Sequence, residues 1–251
     1  MEWQDEGIVL AARPHGETNA VLSVLSLGHG RHAGLVHGGA GKSKGPLLQP
    51  GNRLSLDWRA RLAEQLGHFR LEPMQLFAAR LVHDPARLQG LTAACALLED
   101  SLPEREAHPR LYAGLLRLLE TMVQNENGDW PETYVRFEVL LLSDLGFGLD
   151  LGSCALSGAT GDLAYVSPRS GRAVGREAAG AFAPRLLPLP AFLLGEGEGA
   201  ASEEDVAAGL RLTGHFLAKH VFAPADRPLP AARERLADRL GVAGVGENGT
   251  T

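Results

Sequence analysis

Arg53-Leu54-Ser55-Leu56-Asp57-Trp58 alternates polar and apolar residues without a break. Successive side chains of a strand point to opposite faces, so Leu54, Leu56 and Trp58 share one face and Arg53, Ser55 and Asp57 the other, as in a half-buried β-strand. Working outward, similar short segments run Gly7 to Ala12, Ala20 to Ser26, His32 to His37 and Gly67 to Glu72. Gly28-His29-Gly30 makes a tight turn between the second and third of these segments. The stretch Gly38-Gly39-Ala40-Gly41-Lys42-Ser43-Lys44-Gly45-Pro46 reads as a mobile basic loop before the fourth.

After Pro73 the pattern changes to helical. Asp84-Pro85, His108-Pro109 and Trp130-Pro131 each place proline at a plausible first helical position. Leu111, Leu115, Leu118, Leu119 and Met122 form one apolar stripe, with Arg110, Gly114, Arg117, Thr121 and Gln124 opposite. Asp144-Leu145-Gly146 stops the next helix, and residues 147 to 175 revert to Gly, Ser and short strand-like pieces such as Leu163 to Ser167. A Ser202-x-x-Asp205 capping box opens a long helix to about Phe222, and a last helix spans about Leu229 to Leu240. Five strands is the count for an OB barrel, which closes on itself and leaves no free edge. The expected fold is therefore α+β and multidomain: a five-stranded OB barrel over 1–75, an all-helical domain over 76–146 and 179–241, an insertion over 147–178 and a flexible tail over 242–251.

With 251 residues, 45% hydrophobic and 22% charged, the chain has the composition of a folded protein and not of a disordered one. No run approaches the ~18 apolar residues of a spanning helix, and Met1-Glu2-Trp3-Gln4-Asp5-Glu6 lacks a basic leader, so a cytoplasmic protein is expected. Two cysteines, Cys95 and Cys154, offer no disulfide framework, which makes the Asn248-Gly249-Thr250 sequon a chance match. Cys95, in the apolar run Leu91 to Leu98, reads as a buried free thiol. The formal net charge of -6 is uneven, because two of the three lysines, Lys42 and Lys44, fall in residues 29 to 61 with Arg31, Arg53, Arg59 and Arg61 against the single acid Asp57. A basic stretch in an acidic chain suits a polyanion partner.

Several patterns resemble sites and fail. Gly41-Lys42-Ser43 ends like a phosphate-binding loop, yet Val36 stands where the first glycine must be and Lys44-Gly45-Pro46 cannot open a helix. His29-x-x-His32 has no nearby thiol or carboxylate in sequence and reads as solvated or phosphate-contacting histidines. His215 and His220 on a regular helix would lie about 140° apart and share no ligand. Cys154-x-x-Ser157, with the second pair falling at Gly175 and Ala178, has the layout of a zinc ribbon with one ligand left of four, so no metal and no cofactor are expected. No catalytic constellation is recognisable, which points to a protein that is not an enzyme and takes no small-molecule substrate.

Asp5-Glu6-Gly7-Ile8-Val9-Leu10, Arg13-x-His15-Gly16-Glu17-Thr18, Gly30-Arg31, Gly38-Gly39 and Leu48-Gln49-Pro50-Gly51, followed later by Gly209 to Leu217 and Pro228-Leu229-Pro230-x-Ala232-Arg233, resemble the RecO family over about residues 1 to 240. The resemblance implies an OB-fold, a helical domain and a zinc-finger-like insertion, here degenerate. It also implies a recombination mediator in DNA repair that binds and anneals single-stranded DNA beside RecR and SSB at the nucleoid. Cationic groups would track the phosphates, and Arg13, His15, Arg31, Lys42, Lys44 and Arg53 are the candidates. With 6% aromatic residues overall, electrostatics is expected to outweigh stacking. RecR is expected at the barrel and the acidic C-terminal tail of SSB on the helical part, where Arg110, Arg117 and Arg136 could pair its carboxylates. A plain OB module acting on RNA or DNA without a mediator role is the other reading.

Overall fold

The computed structural model describes residues 1–62, 64–124, 129–195 and 201–241. The expected tail over 242–251, and the sequon within it, lie outside the described residues. The chain forms two compact units, Met1–Glu126 and Asn127–Thr251.

In the first unit, β1 (Glu2–His15), β2 (Asn19–Ser26), β3 (Gly30–Val36), β4 (Arg53–Arg59) and β5 (His68–Gln75) close a barrel in the order β1-β2-β3-β5-β4. β1 is longer than its apolar stretch suggests because one strand serves two partners. Glu2 to Ile8 pair with β4, Gly7 to His15 pair with β2, and the register shifts between Val9 and Ala11. β3 and β5 close the ring as a short parallel contact, Leu35 opposite His68, with Leu35 N–H donating to the Gly67 carbonyl at 3.0 Å. Leu54, Leu56 and Trp58 fill the interior with Val9, Leu22, Val24, Val36 and Phe69, as the alternation requires. Trp58 Nε1 donates to the Leu66 carbonyl at 3.1 Å, so its one polar atom is satisfied.

Helices α1 (Phe77–Leu81), α2 (Pro85–Ser101) and α3 (Pro109–Gln124) complete this unit. The Asp84 carboxylate caps α2 by accepting from Ala86 and Arg87 N–H at 3.1 and 3.0 Å. Leu91, Ala94, Cys95 and Leu98 of α2 are buried, and Cys95 Sγ meets the Val9 carbonyl at 3.5 Å. That helix therefore packs on β1 from outside the barrel's own core. Burial pushes the Cys95 thiol up to about 12, so it is an inert core thiol as expected. The stripe of α3 is buried from Leu111 to Met122. Gly51 sits at φ +83° with Leu91 2.5 Å from where a Cβ would be, so both backbone conformation and close packing demand glycine there.

The second unit contains α4 (Trp130–Asp144), then β6 (Leu163–Val166), β7 (Ala173–Gly175), the short α5 (Arg176–Ala179), β8 (Leu187–Pro188), α6 (Glu203–Phe216) and α7 (Ala231–Arg239). The strands form one sheet in the order β7-β6-β8, with β8 lying after the expected end of the insertion at 178. Ser202 caps α6 by accepting from Asp205 N–H at 3.1 Å. The helix runs on as a π-helical turn over Leu217–Phe222. His215 and His220 both lie beside the Phe216 ring, at 5.0 and 6.0 Å between centroids. At the centre of the unit Glu138, 0% exposed, accepts from Arg233 Nε at 3.0 Å and Nη2 at 3.1 Å and from the Thr213 hydroxyl.

Candidate nucleic-acid interface

The β1–β2 hairpin tip and the loop after β3 meet at one mouth of the barrel. Ala40 N–H donates to the Thr18 carbonyl at 3.0 Å, and Gly38 N–H donates to Asn19 Oδ1 at 3.1 Å. Asn52, 1% exposed, holds the far end of the loop by donating to the Pro46 and Leu47 carbonyls at 2.9 and 3.2 Å. Its Oδ1 accepts from Ala78 N–H at 3.2 Å, so a buried polar side chain shapes the loop. This brings Arg13 and His15 of the hairpin to the same mouth as Lys42 and Lys44 of the loop, all exposed. The Arg13 side chain is 74% exposed, with Glu99 3.6 Å away, and Lys44 Nζ donates to the His37 carbonyl at 2.8 Å. Such cations remain hydrated and can exchange counterions for phosphates.

Arg31 and Arg53 have other work. Arg31, with its side chain 18% exposed, donates from Nε to the Leu102 carbonyl at 2.9 Å and faces Glu99 and Glu104 at 3.8 and 3.5 Å. Arg53 pairs with Glu6 at 2.7 Å and donates to Gln75 at 3.0 Å. Both guanidinium groups are paired with carboxylates within the unit and are partly buried, whereas Arg13, His15, Lys42 and Lys44 are the exposed ones of the six candidates.

Sequence reasoning missed an aromatic cluster at the start of β1. Trp3 stacks on His29 at 4.1 Å and on Trp58 at 5.6 Å, with interplanar angles of 9° and 18°. His32 stands edge-on to Trp3 and Trp58 at 5.1 and 4.8 Å, with Phe69 beside them. His32 is 4% exposed, which corrects its reading as a solvated or phosphate-contacting residue. Burial, then the charges of Arg105 and His29, hold its pKa down at about 4, so it is neutral at pH 7. His29 is partly exposed and its Nδ1 lies 3.1 Å from Asp5 Oδ2. The His29-x-x-His32 spacing was the available signal. In β3 it marks an aromatic step at the strand's beginning instead of a metal pair.

The helical arginines divide between the units. Arg110 and Arg117 lie seven apart on the exposed side of α3, in the first unit. Arg136, on α4 of the second, donates to Glu132 at 3.0 and 2.7 Å and lies 5.5 Å over the Phe192 ring.

In the second unit, Gly175 N–H donates to Cys154 Sγ at 3.2 Å. That bond, then the Ser157 hydroxyl and the Ser157 and Leu156 N–H groups, holds the Cys154 thiol down at about 6. Positions 154, 157 and 175 therefore meet as the pairs of a metal knuckle would, but they bring one sulfur and one hydroxyl, with neither a third nor a fourth ligand. Among the described residues no group of three or more His, Cys, Asp or Glu could hold a metal ion. The residues do not fit a structural zinc. Elemental analysis after extensive dialysis is expected to find well under one zinc per chain, and about one per chain would refute this.

A closed five-stranded barrel of this strand order, backed by helices and carrying cationic loops at one mouth, defines an OB-like protein. Residues 1–77 match the pattern described as "Recombination protein O N terminal", and residues 82–227 match "Recombination protein O C terminal". The chain is 53% identical over 241 residues to the "DNA repair protein RecO" of Rhodospirillum centenum, covering 95% of this chain and 94% of that protein. It is 52% identical over 243 residues to the protein of that name from Rhodospirillum rubrum, covering 96% of each. With the Phenylobacterium zucineum protein of the same name it shares 50% over 244 residues, 97% of this chain and 99% of that one. The chain belongs to the recombination protein O family.

Proposed function

We propose that this protein acts in DNA repair as a recombination mediator. Its barrel binds single-stranded DNA and anneals strands, and the protein works with RecR and SSB to promote recombinase loading in the cytoplasm, at the nucleoid. The observation that carries this reading is the mouth where Arg13, His15, Lys42 and Lys44 converge on an OB-like barrel in a chain of net charge -6. Phosphates neutralised at one basic surface let two strands approach, which is what annealing needs. The protein has no catalytic role and takes no cofactor in this reading, and the 147–178 module is a zinc-ribbon relic held by hydrogen bonds to Cys154 instead of by metal. Among the described residues no helix is long and apolar enough to cross a membrane.

The test is a salt titration of the full chain on matched DNA and RNA single strands, with and without SSB. Binding that weakens steeply with salt, prefers DNA and persists on SSB-coated strands is expected. Equal or stronger RNA binding, or displacement by SSB, would favour a general nucleic-acid-binding module instead.

The acidic SSB tail, ending in a hydrophobic residue and a free carboxylate, suits the α3 face of Arg110 and Arg117, since arginine pairs carboxylates bidentately. Arg136 is already paired with Glu132 and contributes less. Replacing Arg110 and Arg117 together with alanine is expected to weaken binding of an SSB tail peptide to the full chain by roughly tenfold or more, with Arg136→Ala weaker in effect. Full affinity in the double variant would move the site elsewhere.

A further inference from the structure

The second unit carries a cleft of about 870 Å³ bordered by α6, its π-helical continuation, β8 and α7. Its apolar lining comes from Leu187, Leu210, Ala218, Leu229 and Ala237. A cleft of this size, mostly apolar with a few convergent polar groups, is the usual form of a small-molecule site. The charged groups come from two walls. Arg211, His215 and Lys219 belong to α6 and the π-helical turn, whereas Glu234 and Asp238 belong to α7.

Arg233 reaches the same cleft from α7 and is 4% exposed. Its Nε and Nη2 donate to Glu138 and the Leu210 carbonyl, but Nη1 has no hydrogen-bond partner among the described residues. Buried donors are nearly always paired, because desolvation without an acceptor is costly. The guanidinium lies against Gly214, where a Cβ would stand 2.8 Å from Nη1 and 3.1 Å from Cζ, so glycine is what admits it to the α6 wall. Arg211 and His215 are four apart on that helix and share its face, which sets the open donor among basic side chains. Lys219 Nζ donates to the Pro168 and Arg169 carbonyls at 2.8 and 3.3 Å, contacts that fix its position without neutralising its charge.

We propose that this cleft binds a small amphipathic carboxylate, with its apolar body on the leucine and alanine lining and its carboxylate against the α6 wall. There Arg233 Nη1 donates to it, with Arg211 and Lys219 beside it. A carboxylate is the acceptor that Nη1 lacks, and arginine is the side chain best shaped to hold one. Glu234 and Asp238 repel an anion from α7, which sets the direction in which the molecule lies. The site shares no residue with the cationic mouth of the barrel or with the arginines of α3, so it stands independently of the DNA-binding reading.

The test titrates decanoate into the full chain by calorimetry, below its micelle concentration, with decanol and acetate as controls. Decanoate is expected to bind roughly tenfold more tightly than decanol, the size of a hydrogen bond to a charged group. Acetate, which lacks the apolar body, should bind more weakly still, and decanoate should raise the melting temperature. In Arg211→Gln with Lys219→Gln, decanoate should lose roughly tenfold in affinity while decanol is unchanged. Ala218→Trp, which fills the cleft, should abolish binding of both and serves if the double variant fails to fold. Arg233 itself is left in place because it holds Glu138. Absence of decanoate binding, equal binding of decanoate and decanol, or unchanged decanoate affinity in either variant overturns the proposal. Displacement of decanoate by an SSB tail peptide would also overturn it, assigning the cleft to a peptide carboxylate.

Discussion

Replacing Arg233 with alanine is expected to destabilise the second unit by about 3–5 kcal/mol, because it strands a buried carboxylate. Glu138 is 0% exposed and receives both Nε and Nη2 of Arg233, and Nη2 also donates to the Leu210 carbonyl at 2.6 Å. Burial works against the charge on Arg233, but Glu138 outweighs it and holds the guanidinium pKa above its ordinary value. Without the arginine, Glu138 keeps only the Thr213 hydroxyl among these partners. A loss of this size is a large share of a domain's total stability of about 5–15 kcal/mol. Arg233→Met with Glu138→Leu should recover much of it, since apolar groups of similar volume can replace a buried pair at little cost. Urea unfolding of the full chain followed by circular dichroism measures both. A loss below about 1 kcal/mol for Arg233→Ala would show that water or relaxation reaches Glu138.

Replacing Lys42 and Lys44 together with alanine is expected to weaken single-strand binding by about tenfold at physiological salt and to lower the slope of log affinity against log salt by about 1.4, the value for two lost phosphate contacts. Both side chains are exposed, so stability should change by no more than about 0.5 kcal/mol. The loss should be the same on every sequence, because phosphates carry no base identity. An unchanged slope would place the phosphate track away from this mouth.

The sequence by itself determined the elements. Period-2 alternation in Arg53 to Trp58 placed β4, Asp84-Pro85 and Ser202-x-x-Asp205 placed helix starts, and the leucine spacing of α3 named its buried face, because these depend on neighbours within a few residues. Exposure of Arg13, His15, Lys42 and Lys44 was legible for the same reason, since glycine turns and a hairpin tip lie outside any core. Only the tertiary structure decided which cations remain available. Arg31 meets Glu99 and Glu104, residues about seventy positions away, and no local pattern encodes that meeting. It also decided where the first unit ends, because Cys95 and Leu91 pack on β1 and on the turn at Gly51. Trp3, His29, His32 and Trp58 are scattered over 56 positions and become one cluster only when the start of β1 is laid between the β2–β3 turn and the end of β4. Closing a barrel brings distant residues together through backbone pairing, and pairing register is a property of the whole sheet.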